Sequence, residues 1–205
     1  MKKLCLALLA AAAFVPAAQA APAAGDILVR ARLVNIDPAD KDTVVLPASL
    51  GGDVNVTVNS KVIPEVDFTY FVTSNVAAEL ILTYPQKHDV KVNGDKIGTL
   101  KHLPPTLTAQ YHFTDFGAIK PYVGAGINLT LFSGVDLPLT LEIDKSSVGL
   151  ALQAGVDYAI DKTWSLNFDV KKVQIRTDLK HPTLGNLGTI KVDPLLVGVG
   201  VGMKF

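Results

Sequence analysis

The sequence predicts an all-β fold, an eight-stranded antiparallel transmembrane β-barrel, and three observations carry that prediction. Apolar residues recur with period two, not 3.6, along almost the whole chain. Short turns alternate with long loops between the apolar-polar segments, as in barrels whose short turns all face the periplasm. The chain closes on LLVGVGVGMKF (195–205), with Leu195, Val197, Val199, Val201, Met203 and Phe205 on one face and Gly198, Gly200 and Gly202 on the other.

The first twenty residues read as a signal peptide. Lys2 and Lys3 precede an apolar run from Leu4 to Val15, and Ala18-Gln19-Ala20 is a small-x-small cleavage site. The run is too short to span a bilayer as a helix. Residues 21–205 then form a single outer-membrane barrel domain. Removing Lys2 and Lys3 takes the basic count from 19 to 17 against 19 acidic residues, a net charge of −2. That balance excludes a basic surface for nucleic acid. The one cysteine, Cys5, leaves with the signal, so no disulfide or thiolate chemistry is expected. Mean hydropathy is +0.33, raised in part by the leader.

The predicted strands are 26–35, 62–72, 76–85, 103–113, 119–132, 147–160, 164–176 and 190–205. An even number places both chain ends at one rim. Tight turns fall at 73–75, 114–117 and 161–163. Long loops fall at 36–61, 86–102, 133–146 and 177–189. Asn93-Gly94 is a hairpin signal inside the second long loop, and DVNVTVN alternates inside the first. The faces separate cleanly. Val66, Phe68, Tyr70 and Val72 oppose Glu65, Asp67 and Thr69. Leu107, Ala109, Tyr111 and Phe113 oppose Thr106, Thr108, Gln110 and His112.

A soluble sandwich also alternates. Two features favour the membrane. Tyr70, Phe71, Tyr111, Phe113, Tyr158, Trp164 and Phe205 gather near the turn rim like an interfacial girdle. The last strand can close the barrel against the first, leaving no open edge in lipid, with apolar residues outward and glycines in a crowded lumen.

The same phase places Arg30, Arg32, Glu65, Asp67, Glu79, Asp157, Asp169 and Lys171 inside. An eight-stranded barrel has room for its own side chains or one small ligand. These charges therefore read as a paired polar plug in the periplasmic half, with an ion-selectivity filter as the rival reading. Val173 and Ile175 continue the phase of Asp169 and Lys171, so the lumen turns apolar toward the loops. Leu46 and Leu50 of the first loop are candidates to line that funnel, or pack locally in a loop hairpin. Pro64, Pro104, Pro105 and Pro194 lie at the same end, where each lacks a ladder donor. They mark a candidate lateral exit, or simply end strands and shape the wall.

Chemistry-bearing clusters are not evident. His88, His102, His112 and His181 show no ligand spacing, and no metal or other cofactor is expected. His88 and His102 approach across one hairpin and read as surface histidines. The GAG and GVGVG segments open no helix and are not phosphate loops. No Ser-His-Asp arrangement follows from spacing, and no enzyme is expected.

The segments YFVTSNVAAELILTYPQKHDV (70–90), LPPTLTAQYHF (103–113), KPYVGAGINLTLF (120–132), SVGLALQAGVDYAID (147–161) and KVDPLLVGVGVGMKF (191–205) resemble the OmpW family of small outer-membrane proteins. The resemblance runs through strands two to eight and is weaker in the first strand and loop. It implies an eight-stranded barrel with an unusually apolar channel, associated with passage of small hydrophobic compounds. Some relatives are linked to alkane or aromatic uptake, others to stress response or phage and colicin reception. Terminal Phe205 resembles the signal by which the barrel assembly machinery recognises its clients.

The expected function is an outer-membrane channel for small hydrophobic compounds, which enter the apolar funnel and leave laterally into the bilayer. The rival class is a structural or receptor barrel with an occluded lumen and partner-binding loops. A third, a lipocalin-like soluble carrier, requires the inverse face assignment. Expected partners are outer-membrane lipid, small hydrophobic solutes and the assembly machinery, with the barrel a monomer because no polar stripe interrupts its outer face.

Overall fold

Alternation with apolar residues outward requires a closed sheet, because an open edge in lipid leaves unpaired amides. The computed structural model describes residues 21–39, 42–45, 53–138 and 140–205. The predicted signal peptide, Leu46 and Leu50 lie outside the described residues. The strands in chain order are β1 (Ile27–Asp37), β2 (Asp42–Val45), β3 (Asp53–Val58), β4 (Lys61–Phe71), β5 (Val76–Leu82), β6 (Gln86–Val92), β7 (Asp95–Leu103), β8 (Thr106–His112), β9 (Ile119–Asp136), β10 (Glu142–Ile143), β11 (Ser146–Ala159), β12 (Trp164–Val173), β13 (Arg176–His181), β14 (Gly185–Lys191) and β15 (Leu195–Lys204).

Eight of them form the barrel, in the order β1, β4, β5, β8, β9, β11, β12, β15, with β15 returning to β1. The seam is antiparallel, with Ala31 opposite Val201 and Arg32 opposite Gly200. The surface is inverted relative to a soluble protein. Leu33, Val62 and Leu150 are about 60% exposed, whereas Arg30 and Glu79 are fully buried. Apolar side chains therefore face lipid and charges face the lumen, which excludes the soluble-carrier face assignment.

The remaining strands extend the wall on the long-loop side. β6 and β7 form a hairpin whose turn is Asn93-Gly94, both at positive φ (50° and 94°), as a type I′ turn requires. β3 pairs with both β2 and β6, and β13 pairs with β14 and β10. The long loops are thus substantially sheet, more than their polar composition suggests. Predicted strands 76–85 and 164–176 end early, at Leu82 and Val173, and two others begin late, for which proline is the reason. β8 begins only after Pro104-Pro105 and β15 only after Pro194.

One aromatic of the proposed girdle is misplaced. Phe71 is buried, with its ring 4.8 Å from His112. It follows Tyr70, so the pleat turns it into the lumen. Tyr70, Tyr111, Phe113, Trp164 and Phe205 remain exposed on the outside.

Candidate functional site

Lumen-facing positions are set by strand parity, so charges on β1, β4, β5, β11 and β12 converge without any local motif. All eight sequence-predicted plug residues are buried. Arg30 forks onto Asp157, with Nε donating to Oδ1 (3.0 Å) and Nη2 to Oδ2 (2.6 Å), the strong bidentate geometry for guanidinium and carboxylate. Its Nη1 donates to Asp67 (3.1 Å) and Thr69 (2.8 Å). Its guanidinium also lies 5.0 Å from the ring centre of Tyr122.

Arg32 donates through Nη2 to Asp67 and to Glu79 (3.0 Å). Its Nε lies 3.1 Å from Glu65, a charge contact without hydrogen-bond alignment. Lys171 Nζ bridges Glu65 (2.7 Å) and Asp169 (2.9 Å). Neutral groups complete the network: Tyr122 and Gln153 each donate to Asp169 Oδ2 at 2.8 Å, and Thr108 donates to Glu79. Strand parity puts these three on the inward face, but their lack of charge leaves them out of the sequence-predicted plug. Buried charges persist only when paired and hydrogen-bonded, and this network meets that condition across the lumen.

Above the plug the lumen is largely apolar, with Thr106, Asn128 and His102 among its lining. Val173 and Ile175 are buried in a cluster with Val90, Leu100, Phe132 and Leu179. Two small cavities of about 30 Å³ each lie here. The lower rests on Glu65 and Lys171 and reaches Ile63, Thr83, Pro104 and Pro194. His102 and Ile175 line both.

The proline positions differ from one another. Pro64 keeps its register with Leu33 on β1, but the β4–β5 ladder stops at Val66–Leu82. Beyond it, Thr83 Oγ1 donates to the Pro64 carbonyl (3.0 Å), and Lys61 Nζ reaches the Lys87 carbonyl (3.2 Å). Pairing resumes only where β3 meets β6. Similarly, the β5–β8 ladder ends at Ile81–Thr106, and pairing returns at Gln86–His102. Pro104 and Pro105 sit in that interval, together with Pro85, which sequence reasoning overlooked. Pro194 is buried just before β15 and passes its carbonyl to Val173 N (3.2 Å); it ends a strand. The wall is therefore unladdered on both sides of residues 83–85, beside the lower cavity.

His88 and His102 correct the surface-histidine expectation. Both are buried and their rings stack at 4.7 Å, because the β6–β7 hairpin turns them inward above the membrane-spanning strands. His88 Nδ1 lies 3.1 Å from the Asn59 carbonyl. Burial, with help from His88 and Lys61, pushes His102 from its ordinary 6.5 down to about 3. The folded hairpin thus holds a neutral imidazole that the unfolded chain protonates below about 6.5. Its contribution is complete above pH 6.5 and is lost as pH falls toward 3. Amide protection in β6 and β7, measured relative to the intrinsic exchange rate at each pH, is expected to fall between pH 7 and pH 5, and His102→Phe is expected to reduce that loss. Among the described residues, no three His, Cys, Asp or Glu side chains group to hold a metal.

Known proteins resemble this chain in sequence and fold. Outer membrane protein W of Escherichia coli is 35% identical over 217 residues, covering all of both chains. The dibenzothiophene metabolism operon protein PahQ of Pseudomonas aeruginosa is 26% identical over 166 residues, 76% of each chain. The crystal structure of outer membrane protein OprG from Pseudomonas aeruginosa superposes with a TM-score of 0.75 at 29% identity, covering 89% of this chain and 97% of that one. The family match spans residues 23–205, from the approach to the first strand through the last residue. A barrel of this topology, apolar where it meets lipid, places the chain in the bacterial outer membrane, and it belongs to the OmpW family.

Proposed function

We propose that the barrel is a non-catalytic passage for small hydrophobic compounds, which enter the apolar upper lumen and leave sideways into the bilayer near residues 83–85, Pro64 and Pro104. The observation that carries this reading is the meeting of three features at one level: apolar lining, a charged floor and an unladdered wall. An apolar solute cannot cross the ion-paired floor cheaply, whereas the wall beside it needs only side chains to part. The link of PahQ to dibenzothiophene metabolism supports an apolar cargo. In this reading residues 1–20 are removed as a signal peptide, Phe205 guides assembly, and the barrel works as a monomer.

The small volume of the two cavities favours the rival, an occluded receptor or structural barrel. Transport then requires the apolar cluster around Phe132 to repack around the solute. Uptake of an apolar solute and a polar one of similar size, in cells with and without the protein, separates the two. Selective gain for the apolar solute is expected, reduced several-fold by joint Pro64→Val and Pro104→Val substitution. Gain that survives those substitutions removes the lateral exit. No gain from a correctly inserted barrel supports the receptor reading.

A further inference from the structure

We infer a second binding site, for a small carboxylate carrying an apolar body, at the periplasmic mouth of the barrel. It lies on the opposite side of the plug from the apolar lumen and does not rest on the transport reading. A cavity of about 140 Å³ opens there, with Leu28 and Phe71 on its apolar side, Trp164 at its rim, and His112, Lys120, Lys162 and Ser165 among its polar groups. A single water needs roughly 10–15 Å³, so the space suits a ligand of several heavy atoms.

Two polar atoms at this cavity are buried without a hydrogen-bond partner among the described residues, Lys120 Nζ and Ser165 Oγ. Both residues are 8% exposed. The acids nearby are already engaged. Asp157 stands opposite Lys120 in the ladder, yet its oxygens take the Arg30 fork and the Asn167 amide. Asp161 accepts from the amides of Thr163 and Trp164. Lys204, the neighbouring cation, is paired with Asp26. Among the described residues Lys120 is left as a buried ammonium without an ion-pair partner of its own, a costly state that a bound anion relieves.

The remaining chemistry selects the class of anion. One buried unengaged ammonium and one buried hydroxyl match a monoanion that accepts two bonds, with the exposed Lys162 ammonium at the rim adding to the positive field. The cavity offers no guanidinium fork of the kind that suits phosphate. Its rings and aliphatic side chains favour a hydrocarbon body attached to the acid.

Trp164 is the single tryptophan of the chain and stands at the rim of the cavity with its ring outward, so its emission senses the mouth, and the carboxamide control separates occupancy from partition into detergent. Protein extracted from outer membranes and held in detergent is titrated with cyclohexanecarboxylate at pH 7. The uncharged cyclohexanecarboxamide, of the same shape, controls for partition into detergent, and inorganic phosphate is the competing anion. A saturable response to the carboxylate is expected, at least tenfold weaker with the carboxamide and insensitive to equimolar phosphate. Lys120→Met is expected to weaken it at least tenfold, and Ser165→Ala about threefold. Heat-dependent gel migration identifies which variants fold. Equal responses to acid and amide, displacement by phosphate, or unchanged binding in either folded variant overturns the proposal.

Discussion

Arg30→Met is expected to destabilise the folded barrel by about 3–5 kcal/mol, the usual cost of removing one partner from a buried ion pair. Arg30 is fully buried and holds Asp157 by two bonds and Asp67 by one. Methionine fills much of the volume but leaves both carboxylates without that cation. The midpoint of urea unfolding in lipid vesicles is expected to fall accordingly. The double variant Arg30→Met with Asp157→Leu is expected to recover a substantial part of the loss, because it removes the uncompensated charge along with its partner. Strict additivity of the two substitutions would show that the pair is not energetically coupled. The single variant is also expected to admit more small ions in planar bilayers than the parent barrel.

Gly200→Val is expected to prevent assembly of the native barrel. A Cβ at this position meets the Ala31 carbonyl oxygen at 2.1 Å and the Arg32 Cα at 2.8 Å. Those atoms are backbone and belong to the seam between β15 and β1. Relief requires the seam to part, and forced overpacking of this kind costs about 1–3 kcal/mol even where neighbouring side chains can yield. Gly126→Val is expected to behave the same way, since its Cβ meets the Leu107 carbonyl oxygen at 1.9 Å. Val199→Ala, on the lipid side of the same strand, is expected to leave most of the protein folded. The fraction showing heat-dependent migration in outer-membrane extracts checks all three. Native amounts of the Gly200→Val barrel would overturn the steric account of the glycine row.

These two predictions explain the terminal sequence. Val199 and Val201 face lipid, while Gly198, Gly200 and Gly202 leave room for the side chains of Arg30 and Arg32 to run across the wall into the plug. The apolar alternation alone reveals the outward face. It does not reveal that the glycines exist to accommodate the arginines one strand away.

Strand parity is a local property, since successive side chains on an extended chain point to opposite faces. For that reason the number of barrel strands, their faces, the lumen position of all eight plug charges and the hairpin at Asn93-Gly94 could be read from the residues in order. Tyr122 is legible on the inward face by the same parity, and Lys120 shares it, although the predicted plug includes neither. Phe71 was misjudged because aromatic type was weighed above parity.

What remained depends on register between strands, which no single segment encodes. Only the assembled barrel decided that Arg30 would fork onto Asp157 across the lumen, that Lys120 would be left without an ion-pair partner of its own among the described residues, and that His88 would stack on His102. It also decided where the ladders on either side of residues 83–85 would lapse, because that depends on how far neighbouring strands extend past one another. The sequence by itself determined an outward apolar belt and an inward set of charges, through the two-residue period of an extended backbone. The tertiary structure decided which of those charges meet, because closure of the sheet brings together side chains more than a hundred residues apart.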